Sequence, residues 1–313
     1  MKKKTIIPLL CLVLLFAAYM YLSSAQKPPA EAADPGEDPT LTEYFAARGE
    51  LPAGTTETAF SLEAVPTFTD TAFAVVNNNV PYFTLGDLSA ESYEHYAPLD
   101  LLGRCGTAVA SVGTDLMPTE DRGSISQIKP TGWNTAKYDF VDGKNLYNRC
   151  HLIGFQLTGE NANERNLITG TRYMNVQGML PFENMVSDYV KETGSHVLYR
   201  VTPVFEGREQ VARGILMEAA SVEDRGESVL FCVFCYNVQP GVSIDYATGD
   251  SREELAADAD DVGTFVLNTG SMKFHRPDCS GAVNMKPENR QEYTGSRQRL
   301  ILSGYKPCGT CDP

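Results

Sequence analysis

One stretch, Leu146 to Glu183, constrains the fold of this chain more than any other. It reads LYNRCHLIGFQLTGENANERNLITGTRYMNVQGMLPFE. Residues 146–155 are typical of a strand that turns near Gly154, and a polar loop follows them. Apolar residues then recur at helical spacing over residues 171–190. We therefore expect a strand and a helix that are separated by a loop.

The expected helix carries two interruptions and a stop signal. Gly178 and Pro181 break the helical pattern, so we expect a helix that is kinked or restarted. Gly194 is a usual end of a helix. Asn175 comes early on this helix and Glu183 follows about two turns later, so the two side chains can lie on the same side.

Other segments predict strands of a central antiparallel sheet, which makes the expected fold class α+β. These segments are Phe73–Phe83 (two strands around an Asn-rich turn), Gly106–Val112, His196–Phe205, Ala212–Ala219 and Ser228–Val238. The run Ser251-Arg252-Glu253-Glu254 has the form of a capping box and predicts a short acidic helix.

The polar residues of the central stretch have the chemistry that phosphodiester hydrolysis requires. The reaction needs a base for the attacking water and a positive charge on the phosphate. His151 can serve as that base near pH 7, and Arg149 lies two residues before it. The carboxamide of Asn175 can hold a divalent cation without cancelling its charge, and Glu183 can bond the water shell of that cation.

Each of these residues also has a plainer interpretation. A single histidine near an apolar strand is usually structural, as we expect for His95 and His196. Asn166 can pin the geometry of the site or touch phosphate, but it can equally be an N-cap, and Glu183 can be a surface charge. The order of all these residues, with Arg149 beside His151, favours a metal-dependent nuclease site.

The run Asn148-Arg149-Cys150-His151 resembles the D-R-G-H motif of the non-specific DNA/RNA endonucleases, the ββα-metal or His-Me finger class. The likeness runs from about Gly106 to Tyr246 and is greatest to the streptococcal secreted DNA-entry nucleases. It implies a central antiparallel sheet with a ββα-metal element packed on one side.

The resemblance also implies a role for each residue of the site. His151 would be the general base, Asn175 the direct ligand of Mg²⁺ (or Mn²⁺), and Glu183 a support for its water shell. Asn166 and Arg149 would line the site. The implied protein is an exported endonuclease whose substrate is DNA, with RNA as a further candidate.

Two positions depart from the motif. Asn148 replaces its Asp, and Cys150 replaces its Gly. Neither position supplies the base or the metal ligand, so cleavage remains the expected activity. The alternative is a nuclease fold that grips DNA at the cell surface without cutting it.

The C-terminal region carries a second metal-ligand pattern. His275, Cys279, Cys308 and Cys311 form H-x3-C followed by C-x2-C, which suits a closed tetrahedral Zn²⁺ site. The segment resembles small zinc-binding modules related to the metal-binding domain of the Ada DNA-repair protein. A disulfide between Cys279 and Cys308 is the alternative, but it would leave His275 without a use. A thiol oxidoreductase built on the final C-x2-C is a further rival.

Four other cysteines, which are Cys105, Cys150, Cys232 and Cys235, could form disulfides. A disulfide between Cys105 and Cys150 is one prediction, and buried free thiols are the plainer one. Cys232 and Cys235 are three positions apart on an expected strand, and an odd spacing should point their side chains to opposite faces.

The N-terminal region suggests export and then a tether. Residues 1–25 join three lysines to an apolar run and a small-residue site, which predicts a signal peptide or a membrane anchor. This segment is the only expected contact with a membrane, so the chain would be secreted or anchored to the outer face of the cytoplasmic membrane. The remaining expected divisions are a disordered acidic linker over 26–70, an endonuclease domain over 71–246, an acidic linker or short helix over 247–262, and a zinc-binding module over 263–313.

The charge balance limits how nucleic acid can be bound. The net charge is −14, which argues against tight binding driven by charge alone. A nuclease of this composition needs a local basic groove or a metal ion. The candidates for the groove are Arg149, Arg165, Arg172, Lys129 and Lys137.

Overall fold

The computed structural model describes residues 38–51, 59–254, 262–302 and 304–313. The strands, in chain order, are β1 Phe73–Val75, β2 Tyr93–Tyr96, β3 Ala108–Val112, β4 Tyr147–His151, β5 Leu167–Thr171, β6 Val197–Val204, β7 Gly214–Ser221, β8 Leu230–Tyr236, β9 Val242–Ile244, β10 Ser251–Glu253, β11 Val262–Asn268, β12 Lys273–His275, β13 Arg290–Ser296 and β14 Lys306–Pro307. The α-helices are α1 Leu41–Ala47, α2 Phe155–Thr158, α3 Leu180–Thr193, α4 Ser280–Val283 and α5 Arg297–Leu302, and a π-helix spans Met174–Met179.

A six-stranded antiparallel sheet in the order β1-β8-β7-β6-β3-β2 forms the centre of the fold. Side chains alternate between its two faces, as the pleat of a strand requires. On β6, Val197, Tyr199 and Val201 face the main core, whereas Leu198 faces a second cluster. The α+β class with a central antiparallel sheet is thereby confirmed.

The main core lies between this sheet and a β-β-helix element. The hairpin β4–β5 leads into the π-helix and then α3, and α3 contributes Phe182, Val186 and Val190 to the core. The interrupted helix that Gly178 and Pro181 predicted is therefore a π-helical turn followed by an α-helix. Gly194 ends α3 with a positive φ of 71°, a conformation that glycine adopts without strain.

The opposite face of the sheet is covered by α1. Leu41 and Phe45 pack with Phe83 and Leu198 there. Thr40 begins the helix with a capping box, in which its side chain accepts from the Glu43 N–H and the Glu43 carboxylate accepts from the Thr40 N–H. The prediction of a disordered linker over 26–70 is wrong for this segment, because two apolar side chains of α1 are buried.

Two further expectations fail locally. Within the described segment Phe73–Phe83 no second strand follows β1, because Asn77–Asn79 form a 3-10 turn with positive φ angles and Val80 then enters the second cluster. Ser251 does not open a helix, because Ser251–Glu253 pair with β9 and the Tyr138 hydroxyl donates to the Ser251 hydroxyl at 2.8 Å.

The C-terminal region forms its own sheet, in the order β13-β11-β12-β14. Phe265, Leu267 and Phe274 of this sheet pack with Leu300 of α5. The other face carries Val266 with Cys279 and Cys308.

Among the described residues, no helix has the length and apolar character needed to cross a membrane. The predicted signal peptide or anchor over 1–25 lies outside the described residues.

Candidate active site and metal cluster

The candidate active site is built on the hairpin β4–β5. The strands pair so that His151 lies opposite Leu167 and Tyr147 lies opposite Thr171. Side chains alternate along β4, so Cys150 enters the core while Arg149 and His151 lie on the other face. Arg149 and His151, the two motif residues with a predicted role in the site, therefore share one side of the hairpin.

Both ring nitrogens of His151 are hydrogen-bonded. Nε2 lies 2.7 Å from the carbonyl oxygen of Asn161, and Nδ1 lies 3.1 Å from Nη2 of Arg122. A carbonyl oxygen can only accept and a guanidinium can only donate. The proton of the neutral ring therefore sits on Nε2, and Nδ1 presents its lone pair towards Arg122.

The environment of His151 keeps the ring neutral. Only 6% of the residue is exposed, and this burial lowers the pKa of the imidazole, while the nearby Arg122 charge lowers it further. The hydrogen bond to Asn161 acts in the opposite direction. A neutral ring with Nδ1 free of a proton can accept one from water.

Arg122 is a site residue that the sequence analysis missed. It lies in the long loop between β3 and β4, 29 residues before His151, and no motif surrounds it. Its neighbour Gly123 packs so closely on Asn161 that an added Cβ would lie 2.8 Å from Nδ2 of that residue. The loop and the Asn161 segment thus hold His151 from two sides.

Asn166 is a clamp on the backbone. It is fully buried, its carboxamide oxygen accepts from the Ile153 N–H at 2.9 Å, and its NH₂ group donates to the Ile153 carbonyl at 3.0 Å. Both ends of the amide are engaged. The geometry therefore favours the pinning role over contact with phosphate.

Arg149 is also held in place. Its guanidinium stacks on the only tryptophan, Trp133, at 4.0 Å from the ring centroid, and donates to the carbonyls of Ser126 and Ile128. Arg149 thus fixes the loop that follows Arg122 along the chain. The Trp133 ring thus packs against one face of this guanidinium.

Asn175 lies in the first turn of the π-helix. The turn begins where the Thr171 hydroxyl accepts from the Met174 N–H at 3.0 Å. Asn175 is half-buried, and within the described part of the chain no hydrogen bond engages its carboxamide. A neutral oxygen donor that is not otherwise bonded suits a hard cation such as Mg²⁺.

Glu183 lies on α3 against the strand-to-helix turn after His151. A Cβ added to Gly154 would lie 2.9 Å from the carboxylate carbon of Glu183, so only glycine leaves room for this contact. Burial raises the pKa of Glu183 to about 7, and the positive charge of Arg122 opposes that rise. A cation nearby would favour the ionised form further.

The other basic residues predicted to line a groove differ in whether an acidic side chain already pairs with them. Arg172 is bound to Asp142 at 2.8 Å, so its charge is partly neutralised. No ion pair within the described residues engages Arg165, Lys129 or Lys137. Arg122 lies within hydrogen-bond distance of His151, and Arg149, whose guanidinium contacts only an aromatic ring and carbonyl oxygens, adds a second positive charge on the same face of the hairpin.

In the C-terminal region, four side chains converge. The ligand atoms of His275, Cys279, Cys308 and Cys311 all lie within 4.8 Å of one another. The N–H groups of Thr310 and Cys311 lower the pKa of the Cys308 thiol to about 6, which favours the thiolate that metals bind. One imidazole and three thiols match the donor set of a structural Zn²⁺ site.

The predicted disulfide between Cys105 and Cys150 is wrong, since neither of these two cysteines is disulfide-bonded. The Cys105 thiol donates instead to the Leu167 carbonyl at 3.2 Å. The Cys150 sulfur points to Gly170, where an added Cβ would lie only 2.4 Å away. The expected separation of Cys232 and Cys235 holds, because Cys235 faces the main core and Cys232 lies beside Glu218 on the other face.

Residues 86–223 match the family described as DNA/RNA non-specific endonuclease. The matched stretch contains the hairpin, the π-helix and α3. This part of the chain is therefore similar to the endonucleases of that family.

Among solved structures, the chain is similar to NucA from Streptococcus agalactiae, solved with no metal bound and with a magnesium ion bound. Each of the two is 24% identical, with a TM-score of 0.54, and the match covers 62% of this chain and 92% of that chain. The Sda1 nuclease with bound zinc ion is also 24% identical, at a TM-score of 0.49, over 63% of this chain and 100% of that chain. The likeness to NucA concerns the fold. No curated protein sequence matches the chain significantly.

Proposed function

We propose that this chain is an exported endonuclease that hydrolyses DNA, with RNA as a further substrate, through His151 as base and a divalent cation held by Asn175. The observation that carries this proposal is the pair of contacts at the His151 ring, to the Asn161 carbonyl and to the Arg122 guanidinium, from which its tautomer follows. Because Nε2–H is bonded to the Asn161 carbonyl, Nδ1 is left as a proton acceptor. A buried ring that stays neutral at pH 7 suits a general base.

The residues present fit a hard cation. Asn175 would be the direct ligand, and Glu183 would bond the water shell of Mg²⁺ or Mn²⁺. When bound, the ion would neutralise charge on the scissile phosphate and assist the leaving oxygen. Asn166 keeps the turn after His151 in place through the Ile153 backbone.

Arg122 would have two states in this scheme. Without substrate its guanidinium covers Nδ1 of His151 at 3.1 Å. A phosphate is a stronger partner for a guanidinium than a neutral imidazole. Substrate would therefore draw Arg122 onto the phosphate and open Nδ1 to the attacking water.

The His275, Cys279, Cys308 and Cys311 cluster would hold Zn²⁺ in a closed site that stabilises the small C-terminal sheet. Four donors around one point support metal binding over a C-x2-C redox pair, which uses two sulfurs only. The export part of the proposal rests on the lysines and apolar run of residues 1–25.

The direct test is digestion of supercoiled plasmid and of RNA by the purified chain, with a panel of divalent ions. His151→Ala should abolish cleavage while its circular dichroism spectrum stays that of the wild type. Wild-type cleavage by this variant would refute the base assignment. Binding of DNA with no cleavage in any metal, and no effect of EDTA, would instead favour the surface-binding alternative.

A further inference from the structure

The interface between α3 and the sheet contains polar groups that the apolar core does not explain. The Tyr199 ring is completely buried on β6, and its hydroxyl has no hydrogen-bond partner among the described residues. The hydroxyl of Ser187 on α3 is 1% exposed and also has none there. A buried hydroxyl without a partner destabilises the folded state, so such groups are uncommon in native proteins.

Tyr199 lies beneath the part of α3 that carries Glu183. Phe231 connects them, since its ring is 4.9 Å from Phe182, the residue before Glu183, and 6.4 Å from Tyr199. Ser187 is one helical turn after Glu183, on the same side of α3. Three polar groups thus face one helix–sheet interface.

The Glu183 carboxylate is a hydrogen-bond acceptor of the kind that the Tyr199 hydroxyl needs. Within the described residues no hydrogen bond engages the Glu183 carboxylate, which can only accept when it is ionised. Burial and the carboxylate together raise the pKa of Tyr199, so the phenol stays a donor. The other polar neighbour, the Cys235 thiol, is turned to the sulfur of Met217 at 3.4 Å.

We infer that Tyr199 is a positioning residue, whose hydroxyl donates to the Glu183 carboxylate through a bridging water and holds it towards the hydrated metal. This inference rests on the proposed function, in which Glu183 supports the metal's water shell. It assigns the buried phenol a task in metal binding that a phenylalanine of the same shape could not perform.

The test is Tyr199→Phe in the full chain, with Mg²⁺ binding measured by calorimetry in the absence of nucleic acid. We expect Mg²⁺ affinity to fall roughly tenfold, in the range found when groups around metal ligands are changed. The Mg²⁺ midpoint for plasmid cleavage should rise by the same factor, with little change in the rate at saturating Mg²⁺. The melting temperature in EDTA should change little, because the lost hydroxyl makes no direct hydrogen bond to another group of the described residues.

Tyr236→Phe is the matched control. Its hydroxyl donates to the Pro66 carbonyl at 2.6 Å, so this variant should lower the melting temperature and leave Mg²⁺ binding unchanged. Adding Tyr199→Phe to Glu183→Gln should have no further effect on Mg²⁺ affinity if Tyr199 acts through Glu183.

The possible results distinguish failure of the role of Tyr199 from failure of the proposed metal site. If Tyr199→Phe binds Mg²⁺ as the wild type does while Glu183→Gln and Asn175→Ala bind it weakly, the role of Tyr199 is refuted and the metal site stands. If Asn175→Ala and Glu183→Gln also bind Mg²⁺ normally, the proposed metal site fails and the role of Tyr199 fails with it.

Discussion

The contact between His151 and Arg122 shows what a motif can and cannot reveal at the scale of single residues. The candidate base, metal ligand and supporting carboxylate all lie between Leu146 and Glu183, where order along the chain made them visible. Arg122 reaches His151 from a loop outside that stretch. No local pattern marks such a residue, because its position depends on how a loop folds back.

Replacing Arg122 should affect both the base and the phosphate. Arg122→Ala removes a positive charge that lowers the pKa of His151, so the imidazole pKa should rise when followed by NMR. Cleavage should fall by about a hundredfold or more, as when a group stabilising the transition state is lost. Arg122→Lys keeps the charge but not the planar fork, so it should restore the imidazole pKa better than the rate. An unchanged rate in Arg122→Ala would contradict the proposed contact with phosphate.

Glu183 should make the metal-free protein less stable at high pH. Its pKa is raised from 4.5 to about 7 in the folded state, so the unfolded chain loses this proton first. Stability is then lost as pH rises from about 4.5 to 7 and stays lost above. The free energy of unfolding of Glu183→Gln should therefore exceed that of the wild type by roughly 3 kcal/mol above pH 7 in EDTA, since one pKa unit is worth about 1.4 kcal/mol.

Chemical denaturation at pH 5 and pH 8 measures this effect. The free energies of unfolding of the wild type and Glu183→Gln should differ less at pH 5 than at pH 8. An equal difference at both values would show that the carboxylate of Glu183 is not the group responsible.

At the scale of elements, strands and helices were predictable where one side was apolar throughout. Strands β3, β6, β7 and β8 and the interrupted helix lie close to the expected segments, because their side chains alternate or repeat towards one core. Ser251–Glu253 was misassigned, since its capping-box pattern is overridden by pairing with β9. The disulfide failed because Cys105 and Cys150 each fill a separate buried position, which spacing along the chain cannot reveal.

The folding of the C-terminal sheet should depend on a bound metal ion, whereas the folding of the six-stranded sheet and its core should not. Its apolar cluster is small, so removing Zn²⁺ should unfold it. A zinc-selective chelator should release about one Zn²⁺ per chain by mass spectrometry and make residues 262–313 exchange amide hydrogens rapidly. Cys308→Ser should mimic chelation, whereas Cys232→Ser, outside the cluster, should retain the metal. Full protection of the region after chelation would contradict a structural zinc site.

At the scale of the whole molecule, the acidic balance should limit binding by charge. With a net charge of −14, only a few cations such as Arg122 and Arg165 can meet phosphates. Each neutralised phosphate contributes roughly −0.9 to the slope of log affinity against log salt. For His151→Ala at fixed Mg²⁺, fluorescence anisotropy should give a slope of about −2 to −3. Arg165→Ala should reduce it by about one, and a slope steeper than about −6 would indicate a broad basic groove instead.

Helix α1 sets the practical boundary of a catalytic fragment. The stretch that matches the endonuclease family starts at residue 86, yet Leu41 and Phe45 cover Leu198 and Ala220 on the back of the sheet. A recombinant fragment cut at the edge of the family match would leave those side chains facing water and prone to aggregate. Expression designs should begin upstream of Thr40, so that the cap, the helix and the apolar surface it shields stay together.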